Sequence, residues 1–225
     1  MEALSDSLAV GVMPVTPFQQ NCSLLVCRAT KRAAIVDPGG EVPRLRAWID
    51  RQDLVLDKIL LTHGHLDHAG GAALLARELK LPIEGPHPDD LFWLEGIERQ
   101  ALVYGVEAGE VPHPDRWLSG GDTIGVGELE LAVRHCPGHT PGHVIFFHAP
   151  SRFAWVGDVL FQGSIGRTDF PRGNYDALIR SIKQELLTLG DDVTFLPGHG
   201  PTSTFGQERR SNPFLVDSDR MRGFA

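Results

Sequence analysis

Thr62-His63-Gly64-His65-Leu66-Asp67-His68 places four side chains able to ligate a metal within six residues. Leu56, Ile59, Leu60 and Leu61 just before it read as a short apolar strand. Residues 69–81 after it read as a helix, with Leu74, Leu75 and Leu79 on one stripe. The motif therefore occupies a strand-to-helix turn, where side chains leave a rigid edge and converge. Neutral imidazoles with carboxylates suit a borderline divalent ion such as zinc. Gly64 is expected to let the backbone bend between two histidines, and Gly70 and Gly71 to let the helix start pack on the strand. Whether these are ligands or solvated loop histidines depends on further donors elsewhere in the chain.

Three more follow in chain order, each at the end of an expected strand. His139 lies in His135-Cys136-Pro137-Gly138-His139-Thr140-Pro141-Gly142-His143, after the alternating run 129–133. Asp158 ends Phe153-Ala154-Trp155-Val156-Gly157-Asp158, and His199 follows the apolar run before Pro197-Gly198. Four strand ends carrying metal-type donors make a metal centre the leading reading.

The set resembles the metallo-β-lactamase superfamily, and within it the glyoxalase II type, the hydroxyacylglutathione hydrolase-like enzymes. The resemblance runs from Asn21-Cys22-Ser23-Leu24-Leu25 and Ile35-Val36-Asp37-Pro38-Gly39 through the His-x-His-x-Asp-His motif to Pro197-Gly198-His199-Gly200. Phe161-Gln162-Gly163-Ser164-Ile165-Gly166-Arg167-Thr168-Asp169-Phe170-Pro171 is similar to a segment of compact bacterial members. The resemblance implies that His63, His65 and His139 hold one metal, that Asp67, His68 and His199 hold a second, and that Asp158 bridges both. It also implies an α/β fold, the four-layer αββα sandwich, with the metals in a cleft at one edge of the sheets. An aspartate at 158, where zinc β-lactamases commonly carry a cysteine, turns the expectation away from antibiotic hydrolysis.

Two divalent cations carry about four positive charges, of which two carboxylates and a bridging hydroxide cancel about three. Such a centre favours a polarised carbonyl. A water whose pKa falls to about 7 on zinc can attack that carbonyl without a separate strong base. Asp67 is expected to orient this nucleophile, and a thiolate leaves without a general acid. A thioester, S-D-lactoylglutathione or a related hydroxyacyl thioester, is the expected substrate, with two ions of zinc, or of iron or manganese. The other enzymatic reading is a mononuclear iron glutathione-persulfide dioxygenase, in which His63, His139 and Asp158 bind one iron. A non-catalytic metal protein is the third.

Around the donors, Asp37 is expected either to orient a ligand histidine or to form a turn before Pro38-Gly39. His143 is expected to support the His139 loop or to pack at a strand start, and Thr62 and Thr140 to bond to neighbouring groups. Arg167 is a candidate contact for a substrate carboxylate, with pairing to Asp169 as the competing role. Arg209 and Arg210 could bring charge to the cleft or simply be solvated, while His87, His113, His135 and His148 read as structural or solvated.

At 225 residues, with 42% hydrophobic and 22% charged side chains, the chain is expected to form one domain over 1–225. A net charge of −8 and a pI near 5.6 argue against nucleic acid as a partner. Cys22, Cys27 and Cys136 form no paired motif, so a disulfide framework is not expected and a reducing cytoplasm is. Cys136 reads as buried and small rather than reactive. The amino terminus lacks a basic, then apolar leader, and no run approaches the ~20 apolar residues of a membrane span.

Strands are expected over 8–13, 23–27, 33–36 and 56–61, then 122–126, 129–133, 143–148, 153–156 and 193–196. Helices are expected over 42–51, 69–79 and 175–189, which together suggest two sheets packed face to face with helices outside. Between the halves, residues 86–117 read as a helical insertion, with Asp89-Asp90 capping a helix whose Leu91, Leu94, Ile97, Ala101 and Leu102 face one way. Phe92, Trp93 and Tyr104 could make it a wall of the cleft. Residues 200–225 follow His199, and the C-terminal helical domain by which many glyoxalase II enzymes hold glutathione is not expected.

Overall fold

Strands that are apolar on both faces are stable only when covered on both sides. Four stretches here have that character, and the computed structural model, described for residues 1–107 and 109–216, buries them between layers. The first sheet runs in the order β1 (Glu2–Ala3), β2 (Leu8–Val15), β3 (Gln20–Cys27), β4 (Arg32–Val36), β5 (Val55–Leu60) and β6 (Ile83–Glu84). Its first four strands are antiparallel, and β5 and β6 add in parallel. The second comprises β7 (Thr123–Val126), β8 (Leu129–His135), β9 (Val144–His148), β10 (Phe153–Gly157), β13 (Thr194–Pro197) and β14 (Ser203–Thr204), stacked in the order β14-β13-β10-β9-β8-β7. Its one parallel pairing is β10 with β13. A separate two-stranded hairpin, β11 (Leu160–Phe161) and β12 (Ser164–Ile165), lies beyond β10.

Three apolar cores define four layers. Leu25, Val36, Leu60, Val133, Phe146 and Trp155 fill the space between the sheets. Leu24, Ile35 and Ile59 point the other way, onto helices α1 (Val42–Ile49) and α3 (Ala72–Leu79). Ile145, Val156 and Phe195 do the same in the second sheet, against α6 (Tyr175–Ser181) and α7 (Phe205–Ser211). Neighbouring residues of β4 and β10 thus serve different cores, as the twofold alternation of a strand requires. The expected αββα sandwich is the observed fold. The indole of Trp155 donates to Ser23 Oγ at 3.1 Å across the central core, tying the sheets together near the end that carries the site.

The helices depart from expectation where backbone groups found other partners. The helix expected over 69–79 is two, because α2 (Leu66–Ala69) begins inside the motif and α3 restarts after Gly71, whose N–H bonds to the carbonyl of Pro38. The insertion also holds two helices, α4 (Leu91–Glu95) and α5 (Ile97–Tyr104), divided at Gly96. Leu94, Ile97 and Ala101 are buried as expected, but Leu91 and Leu102 are 43% and 83% exposed. The break at Gly96 splits the single apolar stripe. Asp90 caps no helix with its side chain, because its carboxylate is committed elsewhere. The helix expected over 175–189 is regular only to Ser181 and continues as a wider turn and a tighter one. The short strands β1, β6, β11, β12 and β14, and α7, were not expected. Among the described residues no helix is long and apolar enough to cross a membrane.

Phe146 is fully buried between the sheets. Phe146→Ala is expected to lower stability by about 3–5 kcal/mol, read as a shift of the urea unfolding midpoint.

Candidate metal centre

Each sheet delivers its donors from the C-terminal ends of its inner strands. His63, His65, Asp67 and His68 follow β5, whereas His139 follows β8, Asp158 follows β10 and His199 follows β13. His63 Nε2 and His139 Nε2 lie 3.1 and 3.0 Å from His65 Nδ1. Donors in a tetrahedral shell at about 2.0–2.1 Å from zinc are about 3.3 Å apart, so this spacing suits a shared ion. Asp67, His68 and His199 form a second group, with His199 Nε2 3.1 Å from Asp67 Oδ2. Asp158 stands between the groups: Oδ2 is 3.6 Å from both His139 Nε2 and His199 Nε2, and Oδ1 is 3.3 Å from His68 Nε2.

Hydrogen bonds behind the rings decide which nitrogens face inward. His139 Nδ1 donates to the carbonyl of Arg167 at 2.7 Å, and His199 Nδ1 to that of Phe18 at 3.1 Å. Asp37 accepts from Thr62 N, Thr62 Oγ1 and His68 Nδ1 at 2.8, 2.6 and 2.8 Å. With its proton given to Asp37, Thr62 Oγ1 accepts from His63 Nδ1 at 3.0 Å. The Nε2 atoms of His63 and His139 are thereby bare, and both aim lone pairs at His65 Nδ1, which has at most one proton to offer. His68 Nε2 and Asp158 Oδ1, both buried, face each other at 3.3 Å without a well-formed hydrogen bond. Opposed lone pairs on three histidines beside two buried carboxylates are relieved by a cation, so the residues present fit divalent metal. Asp37 is both a turn residue, at φ 51°, and the acceptor that orients His68. His143 stacks on His63 at 4.6 Å, and its Nε2 accepts from the backbone N–H of Asp158 at 3.0 Å.

Burial keeps His63, His65 and His143 well below the usual histidine pKa, so each is neutral and able to share a lone pair. His68 behaves oppositely: burial disfavours its charge, but the carboxylates of Asp158 and Asp67 outweigh that and hold its pKa well above the ordinary value. Asp158 and Asp67 are correspondingly held below the usual carboxylate range, with the charge of His68 overcoming burial.

Three residues that the sequence did not single out for the site fasten its loops. The fully buried carboxylate of Asp90 accepts from Gly64 N at 2.9 Å, Thr140 Oγ1 at 2.8 Å and Gly142 N at 2.5 Å, joining the His63–His65 and His139 loops. Burial pushes its pKa up to about 6. Gln100 Oε1 accepts from Leu66 N at 2.9 Å, and its Nε2 donates to the carbonyl of Trp93 at 2.8 Å. Glu208 of α7 accepts from Gly163 N and Asn212 Nδ2, at 2.8 and 2.9 Å, anchoring the β11–β12 hairpin. Gly64 serves close approach rather than a bend, since a Cβ there would meet Trp93 Cβ at 2.7 Å. Gly39 is required more strongly: its Cβ would fall 1.5 Å from the carbonyl oxygen of Asp67.

The donors open onto a cleft of about 570 Å³ walled by Phe18, Trp93, Tyr104, Phe161, Ile165 and Phe170. Trp93 sets its edge on His65 at 4.4 Å, and Phe18 meets Tyr104 edge-on at 5.3 Å. The insertion is therefore both a cleft wall and a packed helix pair. Arg167 lies at the cleft, 4.4 Å over the ring of Phe170, with both Asp169 oxygens 2.9 Å from its guanidinium.

Residues 15–199 match the family described as the metallo-beta-lactamase superfamily. The chain belongs to that superfamily. It is 48% identical over 207 residues to hydroxyacylglutathione hydrolase GloC of Haemophilus influenzae, covering 92% of this chain and 97% of that one. With the probable metallo-hydrolase YqgX of Bacillus subtilis it shares 35% identity over 90% of this chain and 95% of that one. Among solved structures it is similar to the B3 metallo-beta-lactamase BLEG-1 (34% identity, TM-score 0.86, 92% and 100% coverage). It is also similar to TTHA1623 in a di-iron-bound form (38% identity, TM-score 0.82, 91% and 100% coverage). This superfamily member is a metallo-hydrolase.

The remaining candidates have other roles in it. Arg209 pairs with Asp191 and with the carbonyl of Leu187. The thiols of Cys22, Cys27 and Cys136 are free and buried, and burial raises the pKa of Cys136. His87 and His135, which in sequence have no matched partner, stack on each other at 4.2 Å. With Asp89 they bring three possible donors together, but His135 Nε2 is bonded to the carbonyl of Pro141 at 2.9 Å and His87 Nδ1 accepts from Asp89 N at 3.2 Å.

Two measurements test the site. Asp90→Ala leaves two amides and a hydroxyl without their acceptor, and is expected to weaken metal binding about 10–100-fold in chelator competition; unchanged affinity would contradict the clamp. The carboxylates of Asp158 and Asp67 raise the pKa of His68 in the metal-free chain, and a proton on Nε2 must leave when that atom takes a metal. Binding should therefore release protons and tighten as pH rises. Calorimetry in buffers of different ionisation heat reads this release, and identical heats in all buffers would refute it.

Proposed function

We propose that this metallo-hydrolase cleaves a thioester, S-D-lactoylglutathione or a related hydroxyacyl thioester, at a centre for two divalent ions. The observation that carries the reading is the pair of donor groups with Asp158 within 3.6 Å of both, at the floor of an apolar cleft. The name of the Haemophilus influenzae relative supports the substrate class. His63, His65 and His139 would hold one ion, and Asp67, His68 and His199 the other, with Asp158 serving both. A mixed nitrogen and oxygen set accepts zinc, iron or manganese. When bound, such ions supply Lewis acidity and bring the pKa of water down to about 7.

The chain's own groups do the rest. Asp67, kept anionic beside His68 and His199, faces the cleft and can hold the proton of the attacking water. Neutral His63 and His65 bring lone pairs without bringing charge, so the centre keeps the net positive potential that polarises a carbonyl. The aromatic walls exclude bulk water from the reacting carbon. A thiol with a pKa of about 8.5 departs as its thiolate, so the scheme asks no general acid of the cleft. The persulfide dioxygenase reading needs only His63, His139 and Asp158 and leaves Asp67, His68 and His199 without a task.

Metal-loaded protein should hydrolyse S-D-lactoylglutathione without oxygen. His63→Ala and Asp158→Ala should each reduce kcat/KM by about 10³-fold, as expected for losing several kcal/mol of transition-state stabilisation. One iron per chain with oxygen uptake on glutathione persulfide would overturn the proposal, and so would a kcat/KM for a chromogenic cephalosporin above that for the thioester.

A further inference from the structure

The wall of the cleft continues outward through two aromatic contacts: His65 meets Trp93, and Trp93 meets Phe92 edge-on at 5.4 Å. Phe92 carries two cations. The guanidinium of Arg172 lies 4.3 Å from its ring centroid and that of Arg99 lies 5.6 Å away. Both arginines are exposed. Among the described residues neither forms an ion pair, unlike Arg167 with its matched Asp169. Exposed cation–π contacts contribute only about 0.5–1 kcal/mol each, and two like charges beside one ring repel. Arg172 also holds φ at 66°, a left-handed conformation unfavourable for a residue with a β-carbon. An otherwise acidic chain, of net charge −8, thus holds two guanidinium groups, without an ion pair among the described residues, over one ring that adjoins Trp93 of the cleft wall.

Resting on the thioester reading, we propose that Arg99 and Arg172, presented on Phe92, form the subsite for anionic groups on the thiol carrier of the substrate. Guanidinium groups bind carboxylate and phosphate in the same forked manner, so the shared chemistry is an oxyanion. The sulfur end of the carrier then lies at the donors, its arm crosses the edge of Trp93, and its anion reaches the arginines. Positive charge beside the Trp93 wall of an acidic protein also draws an anionic substrate to this side rather than to the rest of the surface.

The test holds the acyl group constant and varies the carrier. Lactoyl thioesters of glutathione, of coenzyme A and of neutral N-acetylcysteamine are hydrolysed by the metal-loaded protein and by the double variant Arg99→Gln, Arg172→Asn. Asparagine tolerates the left-handed backbone at 172. KM for at least one anionic thioester should rise about tenfold more than KM for the neutral one, with kcat little affected, the pattern of lost uniform binding. Arg99→Lys should recover part of the loss, and added salt should mimic it. A loss confined to coenzyme A assigns phosphate, and one confined to glutathione assigns carboxylate. Equal KM changes for all three thioesters would overturn the subsite while leaving thioester hydrolysis intact. Titration of the free thiols, glutathione and coenzyme A, into both proteins reads the subsite even if none of the thioesters is cleaved: unaltered affinity for both thiols again overturns it.

Discussion

The bare Nε2 atoms of His63 and His139 face one nitrogen of His65 at the buried floor of the cleft, and much of the architecture serves to keep them there. Left alone, that arrangement is electrostatically poor. Lone pairs oppose one another, and two carboxylates lie among rings that burial prefers neutral. It persists because every ring but that of His65 is held from behind by a hydrogen bond, and those bonds reach back to different parts of the chain: the β4–α1 turn through Asp37, the β2–β3 turn through Phe18, and the loop after β12 through Arg167.

Strand ends make such precision possible. A helix offers neighbours three or four residues apart along one face, whereas inner strands of two packed sheets bring together ends that are far apart in sequence. The parallel pairings β4–β5 and β10–β13 place those ends at the same edge of the sandwich. Asn21 shows the sheets cooperating, since its backbone and side chain bond to the carbonyls of Gly198, Pro197 and Gly200 around His199. The cleft inherits its walls from the turns and from the insertion.

Much of this was legible in the sequence because it is local. Apolar runs followed by His, Asp and Gly marked the strand ends, and all seven candidate donors could be named from them; the fold brings these seven side chains together. The four-layer arrangement followed from the resemblance, and two facing sheets with helices outside from the mixture of strands and helices. What escaped depends on partners remote in the chain. Asp90 looks like a helix cap until the loops at 64 and 140–142 are folded against it, and Glu208 is an ordinary helical glutamate until Gly163 and Asn212 reach it. Gly64 shows the same limit, for its missing β-carbon is required by Trp93, almost thirty residues on, rather than by its own backbone. The break at Gly71 was hidden because helical periodicity does not register a carbonyl arriving from another loop, here that of Pro38.

The division of donors between the sheets bears on the order of events during synthesis. His63, His65, Asp67 and His68 leave the ribosome with the first sheet, well before the chain reaches His139, Asp158 and His199. Neither donor group can close until the second sheet has packed on the first, because each group takes at least one histidine from the later half. A nascent or half-folded chain therefore offers a metal only partial coordination, and the full set is reserved for molecules whose two halves have docked. The same donors thus report that the protein has been correctly assembled.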